Sequence, residues 1–252
     1  MDSSVSLELS ALRERGYVVV PDFVSPQDLE QLNGVTRRQL AARTEPVEFE
    51  ADLHYPGAPS SRTAAGGETV RRLLDAYARD PAFAAFARSS RIRGWMRAYF
   101  GEDVRMSRAH HNCVMTKHPR YGSLTGWHRD VRYWSFQRED LVSVWLALGK
   151  EEVANGALWF VPGSHDMALD ARQFDAAKFF RGDDPDNAAL IKSAVSPPLE
   201  PGDAVFFHAK TLHSAGRNET SQVKFSLVYS YHAGSNAPLA GSRSASKPEL
   251  SL

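Results

Sequence analysis

In the segment GWHRD, His128 and Asp130 stand two residues apart. Residues i and i+2 of an extended strand project to the same face, so one imidazole and one carboxylate can reach a single metal ion. A third ligand has to come from elsewhere in the chain. His213 is the candidate, because in GDAVFFHAKTLHSAGRN it follows a strand-like run that starts after a turn at Pro201-Gly202-Asp203. Two histidines and one carboxylate on one face of an ion mark non-haem iron(II) oxygenases, since three positions stay open. A 2-oxoacid can fill two of these through its keto oxygen and adjacent carboxylate, which leaves one for O2. The same trio suits zinc with an open water position, so a hydrolase is the competing metal reading. An isolated His-x-Asp pair is also compatible with two side chains that only satisfy hydrogen bonds in a core.

The other histidines read differently. His208 precedes His213 by five residues, an odd separation that points the two side chains to opposite faces of extended chain. His110, His111 and His118 crowd one segment without an accompanying carboxylate or repeat spacing, so no second metal is expected there. His165, in PGSH, reads as a turn residue. Arg132, Tyr133 and Trp134 follow the metal motif directly and should border the space where a substrate meets the ion, with His111 and Arg120 as further candidates for that wall.

These residues need a scaffold, and the chain has enough length and apolar content for one: 252 residues, 42% hydrophobic. Ser6 to Arg15 has helical spacing and stops at Gly16, Tyr17 to Val20 is a β-branched strand, and Ser25-Pro26 opens a helix to about Leu40. Glu45 to Gly67 reads as a long loop able to close over a site, and residues 68–100 as two helices broken near Asp80-Pro81. From Val104 onward the pattern changes to short strands: Ala109 to Thr116, Leu141 to Leu148, Ala157 to Val161, Ala204 to Phe207 and Val223 to Tyr231. Gln173 to Ser193, with its RGDDPDN, reads as a surface insertion. One domain over 1–252 is expected: helical support and loop in 1–103, a β core in 104–232, and a flexible tail or lid in 233–252. The fold class is mainly β with flanking helices (α+β), a sandwich or jelly roll.

Thirty basic and thirty acidic residues cancel, which disfavours nucleic acid and anionic membranes as partners and points to a small-molecule substrate. The single cysteine, Cys113, excludes an internal disulfide framework and a cysteine-based zinc finger, and points to a reducing, cytoplasmic setting. The amino terminus has no basic start with an apolar stretch behind it, so export is not expected. Oligomeric state is not readable from the sequence.

Four stretches occur in an order that resembles the phytanoyl-CoA dioxygenase (PhyH-like) family of Fe(II)/2-oxoglutarate-dependent oxygenases. They are RERGYVVVPDFVSPQDLEQL, GWHRD, VWLALGKEEVANGALWFVPGSH and LEPGDAVFFHAKTLHSAGRN. The resemblance implies a double-stranded β-helix core of the jelly-roll, cupin-like type. It also implies Fe(II) on His128, Asp130 and His213, with 2-oxoglutarate as co-substrate and O2 as oxidant. The expected reaction is hydroxylation, or another oxidation, of an unactivated carbon in a small molecule, with secondary metabolism as its expected setting. In related halogenases a small residue stands where this chain has Asp130, so hydroxylation is favoured here. The family usually places an arginine eleven residues after the distal histidine to bind the remote carboxylate of 2-oxoglutarate, and this chain has Lys224 there. Lysine keeps the charge but loses the two-pronged fork. Ser226, two residues on, would add a hydroxyl to the same anchor, and the resemblance also turns Asn112, Thr125 and Trp145 toward the co-substrate. A metal-binding or regulatory protein without turnover is the alternative that the missing arginine supports.

Overall fold

The computed structural model describes residues 3–252. Helix α1 (Ser3–Arg15) ends at Gly16 and leads into β1 (Tyr17–Val20). Gly16 sits at φ +78°, and a Cβ there would lie 2.5 Å from the Thr211 hydroxyl and 2.6 Å from the His165 ring. Only glycine allows this approach. The Gly16 carbonyl then accepts from the His208 amide at 2.9 Å and the Thr211 hydroxyl at 2.7 Å, which ties the amino-terminal strand to the loop that carries His213. Helix α2 (Pro26–Ala42) is capped by Ser25, whose hydroxyl accepts from the Asp28 amide.

Next come β2 (Val47–Phe49), β3 (Val70–Leu74), and helices α3 (Ala76–Arg79), α4 (Pro81–Ala87) and α5 (Ser90–Phe100). The remaining elements are β4 (Val104–Lys117), β5 (Thr125–His128), β6 (Leu141–Ala147), β7 (Leu158–Phe160), α6 (Pro185–Ile191), β8 (Ala204–His208), β9 (His213–Ala215), β10 (Lys224–Ala233) and β11 (Leu250–Ser251). The large sheet runs β1-β8-β6-β10-β4-β3-β2, with β11 also on β4, and the small sheet runs β5-β9-β7. All of the pairings are antiparallel.

Strand β6 shows why the sheets stack. All seven of its residues are buried. Val142, Val144 and Leu146 pack with α1, α4 and α5 residues such as Leu12, Phe83, Ile92 and Trp95, whereas Trp145 and Ala147 pack with Leu158, Phe160 and Ala215 of the small sheet. A strand covered on both faces loses the polar alternation of a one-sided strand. The result is a two-sheet jelly roll with helices on the outer face of the large sheet, the fold class expected from the sequence.

Three expectations change. Residues 70–74 form a strand, not helix: Arg72 makes a two-pronged ion pair with Glu48 of β2, with both contacts at 2.6 Å, and β3 also pairs β4. Cross-strand pairing here overrides local helical spacing. The 45–67 loop contains β2, and its Tyr55 reaches Tyr133 beside the metal motif, hydroxyl to hydroxyl at 3.1 Å. The segment after Ala233, which its composition suggested would be a flexible tail or lid, is ordered across the outside of β4. Asn236 is fully buried and donates to the Arg138 and Asp140 carbonyls. Ser244 accepts from the Ser135 amide and pairs with His110 at 2.7 Å, and Glu249 meets Arg105 at 3.2 Å. Small polar residues dock here through hydrogen bonds rather than a core of their own.

Removing residues 242–252 strips β11 and the Ser244 contacts from β4. The expected cost is roughly 2 kcal/mol, a fall in Tm of about 4–8 °C by differential scanning fluorimetry. An unchanged Tm would show that the segment adds no stability.

Candidate metal centre

Asp130, His128 and His213 each offer a ligand atom, and these atoms lie within 4.8 Å of one another, all buried. His128 closes β5 and His213 opens β9, and the two are register partners across the small sheet. Asp130 starts a short helical turn immediately after β5, so the His-x-Asp geometry comes from a strand end rather than a continuous strand. One oxygen of Asp130 is 3.7 Å from His128 Nε2 and 3.6 Å from His213 Nε2.

Backbone carbonyls set the imidazoles. His128 Nδ1 is 2.8 Å from the Gly126 carbonyl, and His213 Nδ1 is 3.0 Å from the Thr211 carbonyl. A carbonyl accepts only, so Nδ1 carries the proton in both rings and each Nε2 presents a lone pair toward Asp130. Burial pushes His128 well below the usual histidine range and His213 down to about 4, so both stay neutral.

Asp130 is 1% exposed, and neither of its oxygens accepts a hydrogen bond. Burial pushes its carboxyl well above the usual range, with the Arg132 charge and the nearby Ser143 hydroxyl opposing, the latter outside good hydrogen-bond geometry. A buried carboxylate without partners is expensive, and a divalent cation among these three ligands would satisfy it. The donor set, two neutral nitrogens and one carboxylate on one side, fits Fe(II) with open positions.

His111 stands behind Asp130, 3.4 Å from its second oxygen and 3.2 Å from the Ser143 hydroxyl. Its φ of +28° is uncommon for a non-glycine residue. The cause is a bulge: Tyr229 pairs Asn112 while Ser230 pairs Ser107, so residues 108–111 loop out of β4. Strain of this kind persists where the surrounding structure enforces it, often at functional sites.

A cavity of about 60 Å³ extends from His128 and His213 past Thr125, Trp145 and Arg71 to Lys117 and Lys224. Larger grooves, of about 630 and 830 Å³, open elsewhere on the surface, and neither is lined by the trio. The K-F-S pair has a partner already: Lys224 Nζ donates to Glu151 at 2.8 Å, Ser226 Oγ donates to Glu151 at 2.6 Å, and Trp145 Nε1 donates to Glu151 at 2.9 Å. Glu151 is fully buried, so an internal carboxylate holds the residues expected to grip the co-substrate. Arg71 donates to Glu50, Ser123 and Thr125.

Asn112 is a correction. It accepts from the Tyr77 amide at 2.8 Å and donates to Asp75 at 2.8 Å, and so braces α3 rather than lining the cavity. Within β4 it shares a face with Val114, on the side of the sheet that the helices cover, opposite Cys113 and Lys117. At the metal's outer side, Arg132 lies over Phe179 at 3.6 Å and over Tyr133 at 4.3 Å, and Tyr133 is 41% exposed. Trp134 is buried edge-on against His111. His208 and His165 face each other away from the trio, with ring centroids 5.5 Å apart.

Several site residues escaped sequence reasoning. Nothing in the spacing around Glu151 or Lys117 singles them out, Arg71 lies in a stretch with helical spacing, and Phe179 belongs to the segment expected to be a surface insertion. Among the described residues no helix is long and apolar enough to cross a membrane.

The sequence model described as phytanoyl-CoA dioxygenase (PhyH) matches residues 12–226. A probable alpha-ketoglutarate-dependent hypophosphite dioxygenase of Stutzerimonas stutzeri is 24% identical over 248 residues, which is 90% of this chain and 78% of that one. The peroxisomal phytanoyl-CoA dioxygenase of Homo sapiens is 24% identical over 82% of this chain, which spans 62% of the human protein's length. The crystal structure of EctD from S. alaskensis with 2-oxoglutarate and 5-hydroxyectoine superposes with a TM-score of 0.77 at 21% identity, covering 95% of this chain and 80% of that one.

Asp130→Asn replaces the orphaned carboxylate with a neutral amide. The metal-free variant should therefore be more stable than wild type at pH 7.5, by about 1–2 kcal/mol or roughly 2–8 °C in Tm. The rise in Tm that Mn(II) gives wild type should vanish. A less stable variant that still responds to Mn(II) would contradict the metal centre.

Proposed function

The chain belongs to the phytanoyl-CoA dioxygenase family, and from that membership we propose that it is an Fe(II)- and 2-oxoglutarate-dependent dioxygenase that hydroxylates an unactivated carbon of a small molecule. The observation that carries this reading is the orphaned Asp130 carboxylate between two imidazoles whose free nitrogens face it. His128, Asp130 and His213 would hold the iron. When bound, an Fe(II)–2-oxoglutarate centre supplies the activation of O2 for attack on a carbon–hydrogen bond.

The chain's own part is to position and to exclude. The Gly126 and Thr211 carbonyls keep both imidazoles in the ligating tautomer. Trp145, Leu158, Phe207 and Ala215 wall the cavity beside the trio and keep bulk water out. Arg132, Tyr133 and Phe179, with Tyr55 hydrogen-bonded to Tyr133, form the mouth that would receive the substrate. Their rings suit an apolar ring or chain, and Arg132 Nη1, buried without a partner, would meet a polar or anionic group on it. Trp134 and His111 would shape the inner wall. Substrates of secondary metabolism match this mixed aromatic and cationic mouth, and the one free cysteine, buried Cys113, is consistent with a cytoplasmic setting.

The Lys224–Glu151 pair favours a second reading, a metal-binding protein on this fold that has lost turnover, because it occupies the expected co-substrate anchor. Anaerobic Fe(II) protein mixed with 2-oxoglutarate should show the weak visible band of a chelated 2-oxoacid. On admission of oxygen it should release succinate, and His213→Ala should lower that release at least about 100-fold. Bound iron with neither band nor succinate would favour the second reading.

A further inference from the structure

We propose that Lys117, not Lys224, binds the remote carboxylate of the dicarboxylate co-substrate. This rests on the dioxygenase reading above and names the residue that replaces the family's arginine.

Three cationic side chains line the cavity that starts at His128 and His213: Arg71, Lys117 and Lys224. Arg71 pairs with Glu50 at 3.1 Å, and Lys224 pairs with Glu151 at 2.8 Å. Both acids are fully buried, so neither pair can dissolve into solvent. Lys117 has no ion pair among the described residues. Its ammonium donates only to two backbone carbonyls, Ser123 at 2.5 Å and Ala215 at 3.5 Å. Glu50 is close enough to be felt, but its contacts go to Arg71 and Ser123.

Lys117 and Lys224 are register partners on adjacent strands β4 and β10, so the two ammonium groups enter the same end of the cavity. One is neutralised from within the protein and the other is not. A 2-oxo dicarboxylate brings one negative charge to the metal and a second that must be neutralised further in. Arg71 keeps one buried donor, Nε, without a hydrogen-bond partner, but Glu50 balances its charge; Lys117, 7% exposed, is the only cation of the three with no carboxylate beside it. Burial, with Arg71 and Lys224 adding repulsion, holds the Lys117 ammonium well below the usual lysine range. An arriving carboxylate relieves that cost, as pairing does for any buried charge.

The pairing also explains why lysine can stand at position 224. With Glu151 held there by Lys224, Ser226 and Trp145, the position braces β6 against β10 and its charge is already neutralised.

The test is an anaerobic titration of Fe(II)-loaded protein, read by the chelate band, with 2-oxoglutarate and with 2-oxobutyrate, which lacks the remote carboxylate. Wild type should bind 2-oxoglutarate at least about 30-fold more tightly than 2-oxobutyrate. Lys117→Met should weaken 2-oxoglutarate by about that factor while 2-oxobutyrate and Fe(II) affinities stay within about threefold. Lys117→Gln keeps a polar head for the two carbonyls, and it should give the same loss if the methionine variant fails to fold. Lys224→Met should keep the preference for 2-oxoglutarate. A preference that survives both Lys117 substitutions, or is lost in Lys224→Met, overturns the assignment. Absence of the band in iron-loaded wild type overturns the co-substrate reading beneath it.

Discussion

The structure turns on a carboxylate that cannot be satisfied by the protein alone. Asp130 is buried in the turn that follows β5 with no hydrogen bond to either oxygen, facing two imidazoles that are themselves fixed and neutral. Much of the surrounding architecture holds that arrangement in place. Register pairing of His128 with His213 ties β5 to β9, the Gly16 carbonyl grips Thr211 two residues before His213, and the β4 bulge brings His111 behind Asp130. The bulge carries strain at His111, the other two contacts stabilise, and together they keep three ligands in place for a cation.

Charge balance organises the cavity beyond the metal. Buried ion pairs seldom add much stability, but breaking one leaves a charge in low dielectric. The Lys224–Glu151 and Arg71–Glu50 pairs are therefore balanced within the protein, and Lys117 is the cavity cation that a bound anion would balance. The position at which the resemblance places a ligand-binding arginine carries an internal ion pair here, and its cross-strand neighbour Lys117 would take the ligand-binding role.

The metal trio and the strands were legible in the sequence because their causes are local or carried by motifs. His128 and Asp130 are two residues apart, β6, β8 and β10 are runs of β-branched and aromatic residues, and Ser25-Pro26 states its own helix start. What could not be read depends on contacts between distant segments. Val70–Leu74 becomes a strand only because Glu48 and β4 are beside it. Asn112 braces α3 because the Tyr77 amide and Asp75 come from a distant segment to meet it. Glu151 looks like a surface acid in GKEE until Trp145, Ser226 and Lys224 close around it, and the small polar residues after Ala233 look disordered until β4 supplies partners.

A crystal grown without oxygen in Fe(II) and 2-oxoglutarate would test the central claim most directly, through the anomalous signal of the iron and the electron density of the co-substrate. Iron is expected on His128 Nε2, Asp130 and His213 Nε2, with the 2-oxoacid chelated beside it and its remote carboxylate on Lys117 while Glu151 still holds Lys224. Iron bound elsewhere, or a carboxylate on Lys224 with Glu151 displaced, would contradict it.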